Sequence, residues 1–353
     1  MKRILVILTT ALLLVAAVVA EQSVIIDFQN LGADIIADEK TGAMTQNRRT
    51  VMDYGQAAGA SYTDEQKSLM KSSLAIGEWE VVLNSSSQNP ERLAVSHVKE
   101  APVNENAKNF AGQVLMGVRV KFPTWANNAN ATIKPAFNIP MYAPMAQVDD
   151  QGNIQEPTEE DKASGLNRFE EGYGVVRNTG VIKAIAVNTY GMNYPHGLYV
   201  LLRDQNNVQK RYFMGYLLFD GWRELTWVNP NYISDVRARE VRLYPVYPVS
   251  LPSVVFDGFL VTRDAVHDGG DFVGYFKDVK IIYDKAVLST TRDFADEDLW
   301  GIQTKENEER QRNEVKRFGQ KQVLNFIESQ KMATEVEFEP SAGAEGAETG
   351  NAE

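Results

Sequence analysis

The run Gln113-Val114-Leu115-Met116-Gly117-Val118-Arg119-Val120-Lys121-Phe122 places Val114, Met116, Val118, Val120 and Phe122 on one side of an extended chain, with Arg119 and Lys121 on the other. A period of two is the mark of a strand that buries one face. Comparable runs occupy residues 23–28, 78–83, 93–98, 172–177, 181–189, 198–203, 210–219, 256–262 and 272–283. Between them stand Gly191-Met192-Asn193, Asp204-Gln205-Asn206-Asn207, Asn229-Pro230-Asn231 and Asp268-Gly269-Gly270-Asp271, the small polar and positive-φ residues that tight connections use. Many short strands punctuated in this way predict a mainly β fold, an antiparallel β-sandwich of jelly-roll type.

Two stretches break the rhythm. In residues 123–161, Asn127, Asn128, Asn130, Pro135, Pro140, Pro144 and Pro157 cluster and the alternation fades, which reads as a long inserted loop, either an interaction arm or a passive insertion. Residues 306–330 favour a helix: Glu306 with Arg310 and Glu308 with Arg312 have i to i+4 spacing, and Val315, Phe318, Val323, Leu324 and Ile327 form a partial apolar stripe. Gly319 costs that helix about 1 kcal/mol relative to alanine. Beyond Phe338 the chain is Ala, Gly and Glu with little to bury, and is expected to be disordered.

At the amino end Lys2 and Arg3 precede an apolar run that closes on Val18-Val19-Ala20 before Glu21-Gln22, the layout of a cleaved secretion signal. An uncleaved anchor needs roughly 17 to 25 apolar residues, and this run sits at the short end. The expected organisation is a signal at 1–20, a sandwich at 21–300 carrying the 123–161 excursion, a helical extension at 301–331 and an acidic tail at 332–353. There is no cysteine, so an exported product relies on its core and not on disulfides. Without Lys2 and Arg3 the chain holds 34 basic and 47 acidic residues, a net charge of −13. Such a balance disfavours nucleic acid as a partner, and after signal removal no membrane association is expected. Six glutamates fall between Glu335 and Glu353, so much of the negative charge sits in the tail.

Catalytic signatures are thin. His97, His196 and His267 are far apart in sequence and form no metal-ligand pair, and His196 beside Pro195 and His267 in the 265–271 turn read as surface residues. Asp257, Asp264, Asp268, Asp271, Asp278 and Asp284 fall mostly at strand ends or turns, where aspartate bonds its own backbone. Asp268 with Asp271 is the best local pair for Ca²⁺, yet two carboxylates fall short of the six to eight oxygens that ion takes. No enzyme, metal or cofactor is expected. The densest aromatic stretch is 219–232, where Trp222, Trp227 and Tyr232 recur at intervals of five. The two tryptophans have opposite parity, so each is weighed between core and interaction surface.

Gly174-Val175-Val176-Arg177-Asn178 with Ile182-Lys183, Tyr190-Gly191-Met192-Asn193-Tyr194-Pro195, Tyr212-Phe213-Met214-Gly215 and Gly221-Trp222 through Tyr232 come in an order and spacing that resembles the spirochaete flagellar filament outer-layer (sheath) family, FlaA. Tyr244-Pro245-Val246-Tyr247-Pro248, Arg263-Asp264, Gly270-Asp271-Phe272 and Tyr283-Asp284-Lys285-Ala286-Val287-Leu288 continue the likeness. The resemblance implies a structural sheath subunit of the periplasmic flagellum that supports motility, with core filament proteins, copies of itself and other sheath subunits as partners. It brings no catalytic residues. The residues alone leave two rivals: a periplasmic carbohydrate-binding module or lectin that stacks sugars on Trp222, Trp227 or Tyr232, and a glycosidase with two carboxylates in one cleft.

Overall fold

The computed structural model describes residues 21–32, 35–37, 44–46, 49–55, 58–125, 127–140, 168–235, 242–245, 247–248, 251–267, 269–289 and 293–336. Residues 1–20, expected as a signal, the stretch 141–167 and residues 337–353 of the expected tail lie outside these residues, whereas residues 332–336 of that expected tail continue the last helix. Two compact units emerge, one of residues 1–52 with 72–307 and one of residues 53–71 with 308–353.

The first unit contains twelve strands in two six-stranded sheets: β1 (Glu21–Asp27), β2 (Glu80–Leu83), β3 (His97–Pro102), β4 (Val114–Lys121), β5 (Ala129–Lys134), β6 (Val175–Arg177), β7 (Thr179–Met192), β8 (His196–Asp204), β9 (Gln209–Tyr216), β10 (Asp220–Val228), β11 (Ser253–Arg263) and β12 (Asp271–Lys285). Sheet A runs β10-β7-β12-β4-β3, with β1 also on β12. Sheet B runs β9-β8-β11-β5-β2, with β6 also on β11. The chain passes back and forth between them, β4 in A, β5 and β6 in B, β7 in A, β8 and β9 in B, β10 in A, β11 in B and β12 in A. That order is a jelly roll, as the alternation predicts.

Between the sheets lie the inward residues of every long strand. Met116, Val118 and Val120 of β4, Ile185 and Val187 of β7 and Val279 and Ile281 of β12 face Ile133, Leu198, Val200, Phe259 and Val261 from sheet B, all essentially without exposure. Phe259 stacks on Phe276 at 4.4 Å across the gap. Burying a side chain of this size contributes about 1.5–3 kcal/mol. The alternation read in residues 113–122 is thus the packing of one central strand.

Two local readings change. Residues 93–98 are not one strand: Pro90–Val95 form a short helix, α2, and the strand begins at His97. Asn89 caps that helix by accepting from the amides of Glu91 at 2.7 Å and Arg92 at 3.2 Å, with Pro90 in the first turn. The excursion assigned to 123–161 also contains β5, whose inward residues are Ala129, Ala131 and Ile133. Two of those three are alanines, too weakly apolar to register against the surrounding asparagines.

In the second unit, α1 (Asp64–Leu69) starts on a capping box between Thr63 and Gln66. The carboxyl-terminal helix runs as α4 (Ile302–Glu314), a π turn (Val315–Gly319) and α5 (Gln320–Val336), following the short α3 (Asp296–Trp300) of the first unit. Val315 and Val323 of the predicted stripe are buried, whereas Leu324 is half exposed. A Cβ on Gly319 lies 3.3 Å from Met70 Sδ and 3.6 Å from Tyr54 Cβ, so the missing side chain permits close approach where the helix widens. Burial, reinforced by Glu314, pushes the Tyr54 hydroxyl pKa far above its usual value.

Candidate interaction surface

β10 is an edge strand. It pairs with β7 from Ala184↔Val228 to Met192↔Asp220 with no break in register, and among the described residues nothing pairs along its other side. Because side chains alternate across a strand, Trp222 and Trp227 project to opposite faces of sheet A.

On the outer face Trp222 is the end of an aromatic row. Register places Trp222 opposite Tyr190 and Tyr190 opposite Tyr275, with centroids 5.5 and 6.0 Å apart and rings nearly perpendicular. Phe110, in the β3–β4 connection, closes over Trp222 at 4.7 Å, also edge to face. It does so with φ of 55°, an uncommon conformation for a residue with a bulky side chain. Gly117 continues the row on β4, and its missing Cβ, which would lie 3.3 Å from the Tyr275 ring, gives that ring room. Beneath Phe110, buried Lys277 binds Asp27 at 2.6 Å and Asp278 at 3.3 Å. The sequence singled out Trp222; Tyr190, Tyr275 and Phe110 escaped it, because their meeting depends on long-range register.

Trp227 is on the inner side, sharing parity with buried Leu225, and meets Tyr212 of β9 at 4.7 Å where the sheet edges approach. Both rings line a cavity of about 370 Å³ with Lys210, Asn229, Arg242 and Tyr244. Several of its polar groups are already engaged: Lys210 pairs with Asp204 at 3.1 Å, the Asn229 amide donates to the Ile182 carbonyl at 2.8 Å, and Arg242 lies over the Tyr244 ring. Burial, then the nearby Asp204, raises the Tyr212 hydroxyl pKa. Tyr232 stands apart from both tryptophans, donating to Asp284 at 3.1 Å with Lys183 over its ring. All three aromatics are half-buried, so core against surface is not an either/or choice for them.

The aspartates that prompted an enzyme reading are held separately. Asp271 accepts from Lys121 at 2.7 Å and Arg119 at 3.2 Å, and the Lys121 hydrogen bond leads the causes that hold its carboxyl below the usual range. Asp278 accepts from Asn188 at 2.7 Å, and Asp257 accepts from Gln209 and faces Arg203. Among the described residues no cluster of three metal-ligating side chains occurs. Asp268 lies outside the described residues.

His196 overturns its surface reading. It is 5% exposed, stacked on Phe122 at 5.3 Å and packed against Phe272 at 5.1 Å, and neither ring nitrogen has a hydrogen-bond partner. Burial, then the positive charge of Arg263 and then His267, lowers its pKa to about 4. Arg263, itself buried, donates to the carbonyls of Pro123, Trp125 at 2.8 Å, Asn127 at 3.2 Å and Gly269 at 2.6 Å, and to Asn127 Oδ1 at 2.9 Å. The aromatic packing that buries His196 comes from residues remote in sequence, which a proline neighbour does not signal.

Comparison with known proteins gives a consistent result. A family model described as flagellar filament outer layer protein FlaA matches residues 43–292. The flagellar filament outer layer protein of Treponema pallidum (strain Nichols) is 69% identical over 345 residues, covering 98% of each chain. Its counterpart in Spirochaeta aurantia is 42% identical over 349 residues, again covering 98% of each. Among solved structures, a carbohydrate-binding module of the β-sandwich superfamily aligns at 13% identity and a TM-score of 0.29, over 58% of this chain and 57% of that one. A likeness that slight says nothing about ligands.

Proposed function

This chain belongs to the family of flagellar filament outer layer proteins, and from that membership we propose that it is exported to the periplasm and laid, copy beside copy, around a core filament of flagellin-like subunits. It is a structural subunit of the filament's outer layer. The observation that carries the reading is the extent of the likeness, which runs the length of both chains and is not confined to one module. Export is supported by the charged start and apolar run before Glu21. A non-enzymatic role is supported by the separate partners of Asp257, Asp271 and Asp278. Trp222, Trp227 and Tyr232 are the proposed contact residues, half-buried rings that offer apolar area without collapsing into the core.

Negative charge opposes open-ended lateral assembly of identical subunits, so the isolated protein stays soluble and does not polymerise, and the core filament acts as template. Purified mature chain mixed with bare core filaments is expected to sediment with them and widen them in electron micrographs. Protein that stays in the supernatant across salt and pH, while binding a defined glycan, overturns the assignment. One feature favours that second reading, the cavity flanked by Trp227, Tyr212 and Tyr244. Glycan binding lost on Trp227→Ala, with filament binding absent throughout, decides for it.

A further inference from the structure

The edges of the two sheets are protected unequally. β3, at the far end of sheet A, carries Lys99 and ends in Pro102, and β2 of sheet B is only four residues long. β9, the other end of sheet B, opens with Gln209-Lys210-Arg211 and has an irregular register at Leu198/Tyr199. Lysine, proline, shortness and bulges are the usual ways in which an edge avoids pairing with another chain. β10 lacks all four, and its charges, Asp220, Arg223 and Glu224, are of mixed sign. It is nine residues long, has neither lysine nor proline, keeps unbroken register with β7, and exposes Arg223, Glu224, Thr226 and Val228.

We propose that β10 pairs antiparallel with β10 of a second copy of this chain, with Leu225 on the two-fold axis, joining two A sheets into one. The side chains select both partner and register. Centred on Leu225, the pairing sets Glu224 opposite the partner's Thr226, Arg223 opposite the partner's Trp227, and Trp222 opposite the partner's Val228. Cross-strand neighbours of this kind stabilise a sheet, and Arg223, whose guanidinium lies over Phe219 of its own chain at 4.4 Å, meets the partner's Trp227 without a like charge opposite it. Centring one residue earlier places Glu224 against Glu224 of the partner subunit, and two earlier places Arg223 against Arg223 of the partner subunit. Like charges directly opposite are destabilising. Centring later shortens the overlap. Val228 is 62% exposed in the single chain and gains Trp222 of the partner subunit as a neighbour. A two-fold contact is closed, so it yields pairs and not open polymers, in keeping with a protein that coats filaments only on a template.

The contact rests on the chain being a repeated subunit, and it is tested without filaments so that failure to pair and failure to coat are separate results. Since the chain has no cysteine, single engineered ones report cleanly. Mature Glu224→Cys mixed with Thr226→Cys is expected to give a disulfide-linked dimer under mild oxidation, whereas each variant alone does not. By sedimentation, Thr226→Glu, which sets two carboxylates opposite each other on both sides of the axis, is expected to abolish the dimer. Adding Glu224→Lys to Thr226→Glu is expected to restore it. Melting curves on these exposed-site variants confirm that each is folded. A mixture that cross-links no better than its components, or a Thr226→Glu chain that dimerises as before, overturns the proposal.

Discussion

The His196 region and the β10 edge are made of the same materials, aromatic rings beside charged side chains, and put them to opposite ends. Around His196 every side is closed: Phe122 and Phe272 flank the imidazole, and Arg263 spends its donors on backbone carbonyls of the chain itself. Along β10 the rings are only half covered, and one whole side of the backbone has no partner among the described residues. A closed cluster answers to stability, and an open one to association. Substitutions should therefore separate into two classes, and each measurement below tests whether they do.

The largest effect is expected in the closed cluster. Arg263→Met removes the guanidinium and leaves the carbonyls of Pro123, Trp125, Asn127 and Gly269 without their donor, Pro123 being buried while Trp125 and Gly269 are exposed. A hydrogen bond to a charged donor contributes about 1.5–3 kcal/mol, and water recovers part of this at the exposed carbonyls, so a loss on the order of 4 kcal/mol is expected in urea unfolding. A loss below about 1 kcal/mol, the range of ordinary surface changes, removes the distinction between the two regions.

A pH titration of stability comes next. His196 has a folded pKa of about 4 against an unfolded value of 6.5, so between those values the unfolded chain binds the proton and the folded chain does not. Stability is then full above pH 6.5 and falls as pH drops toward 4, by about 3 kcal/mol from this group. Its facing charge, Arg263, stays protonated throughout, so the slope assigned to this cluster is that of His196. In His196→Phe the decline between pH 6.5 and 4 is expected to be shallower than in the parent protein. An unchanged slope assigns it to other groups.

How much of this was legible in the sequence depends on the range of the interaction. The sandwich shows in the sequence because inward positions such as Met116, Val118 and Val120 alternate with Arg119 and Lys121 within one strand. β5 escapes because Ala129 and Ala131 fill its inward places, and α2 escapes because a capped single turn has little periodicity to show. The opposite parity of Trp222 and Trp227 is a local property and was readable. The row Trp222-Tyr190-Tyr275 was not, since it exists only once β10, β7 and β12 lie side by side in register. The family likeness was legible through motif order, a signal independent of any packing argument.

The two tryptophans offer an intermediate test. Trp227→Ala removes the ring that touches Tyr212 near the join of the sheets, and Trp222→Ala opens the row on the outer face. Each aromatic pair contributes about 0.5–1.5 kcal/mol beyond its burial, so both variants should melt earlier, by less than Arg263→Met. If the proposed contact role is right, Trp222→Ala also weakens filament co-sedimentation at temperatures where it remains folded. Equal co-sedimentation by folded Trp222→Ala and parent protein confines Trp222 to a structural part.

The smallest effect is expected at Val228. It is 62% exposed, at the end of β10, and opposite Ala184 on β7. Val228→Thr keeps the β-branch and strand preference while adding a hydroxyl that water can solvate, so unfolding free energy should change by no more than about 0.5 kcal/mol. This near-zero result carries information, because the edge of β10 has been described as open on the side away from β7. If another part of the same chain covered that edge, Val228 would be packed in solution, and a polar group placed there would cost about 1–3 kcal/mol. A clear loss of stability in dilute solution, where copies are separated, would therefore show the edge to be filled by its own chain and would remove the ground for pairing through β10. No loss in dilute solution, combined with weaker association at high concentration, is the pattern of an open edge that a second copy covers.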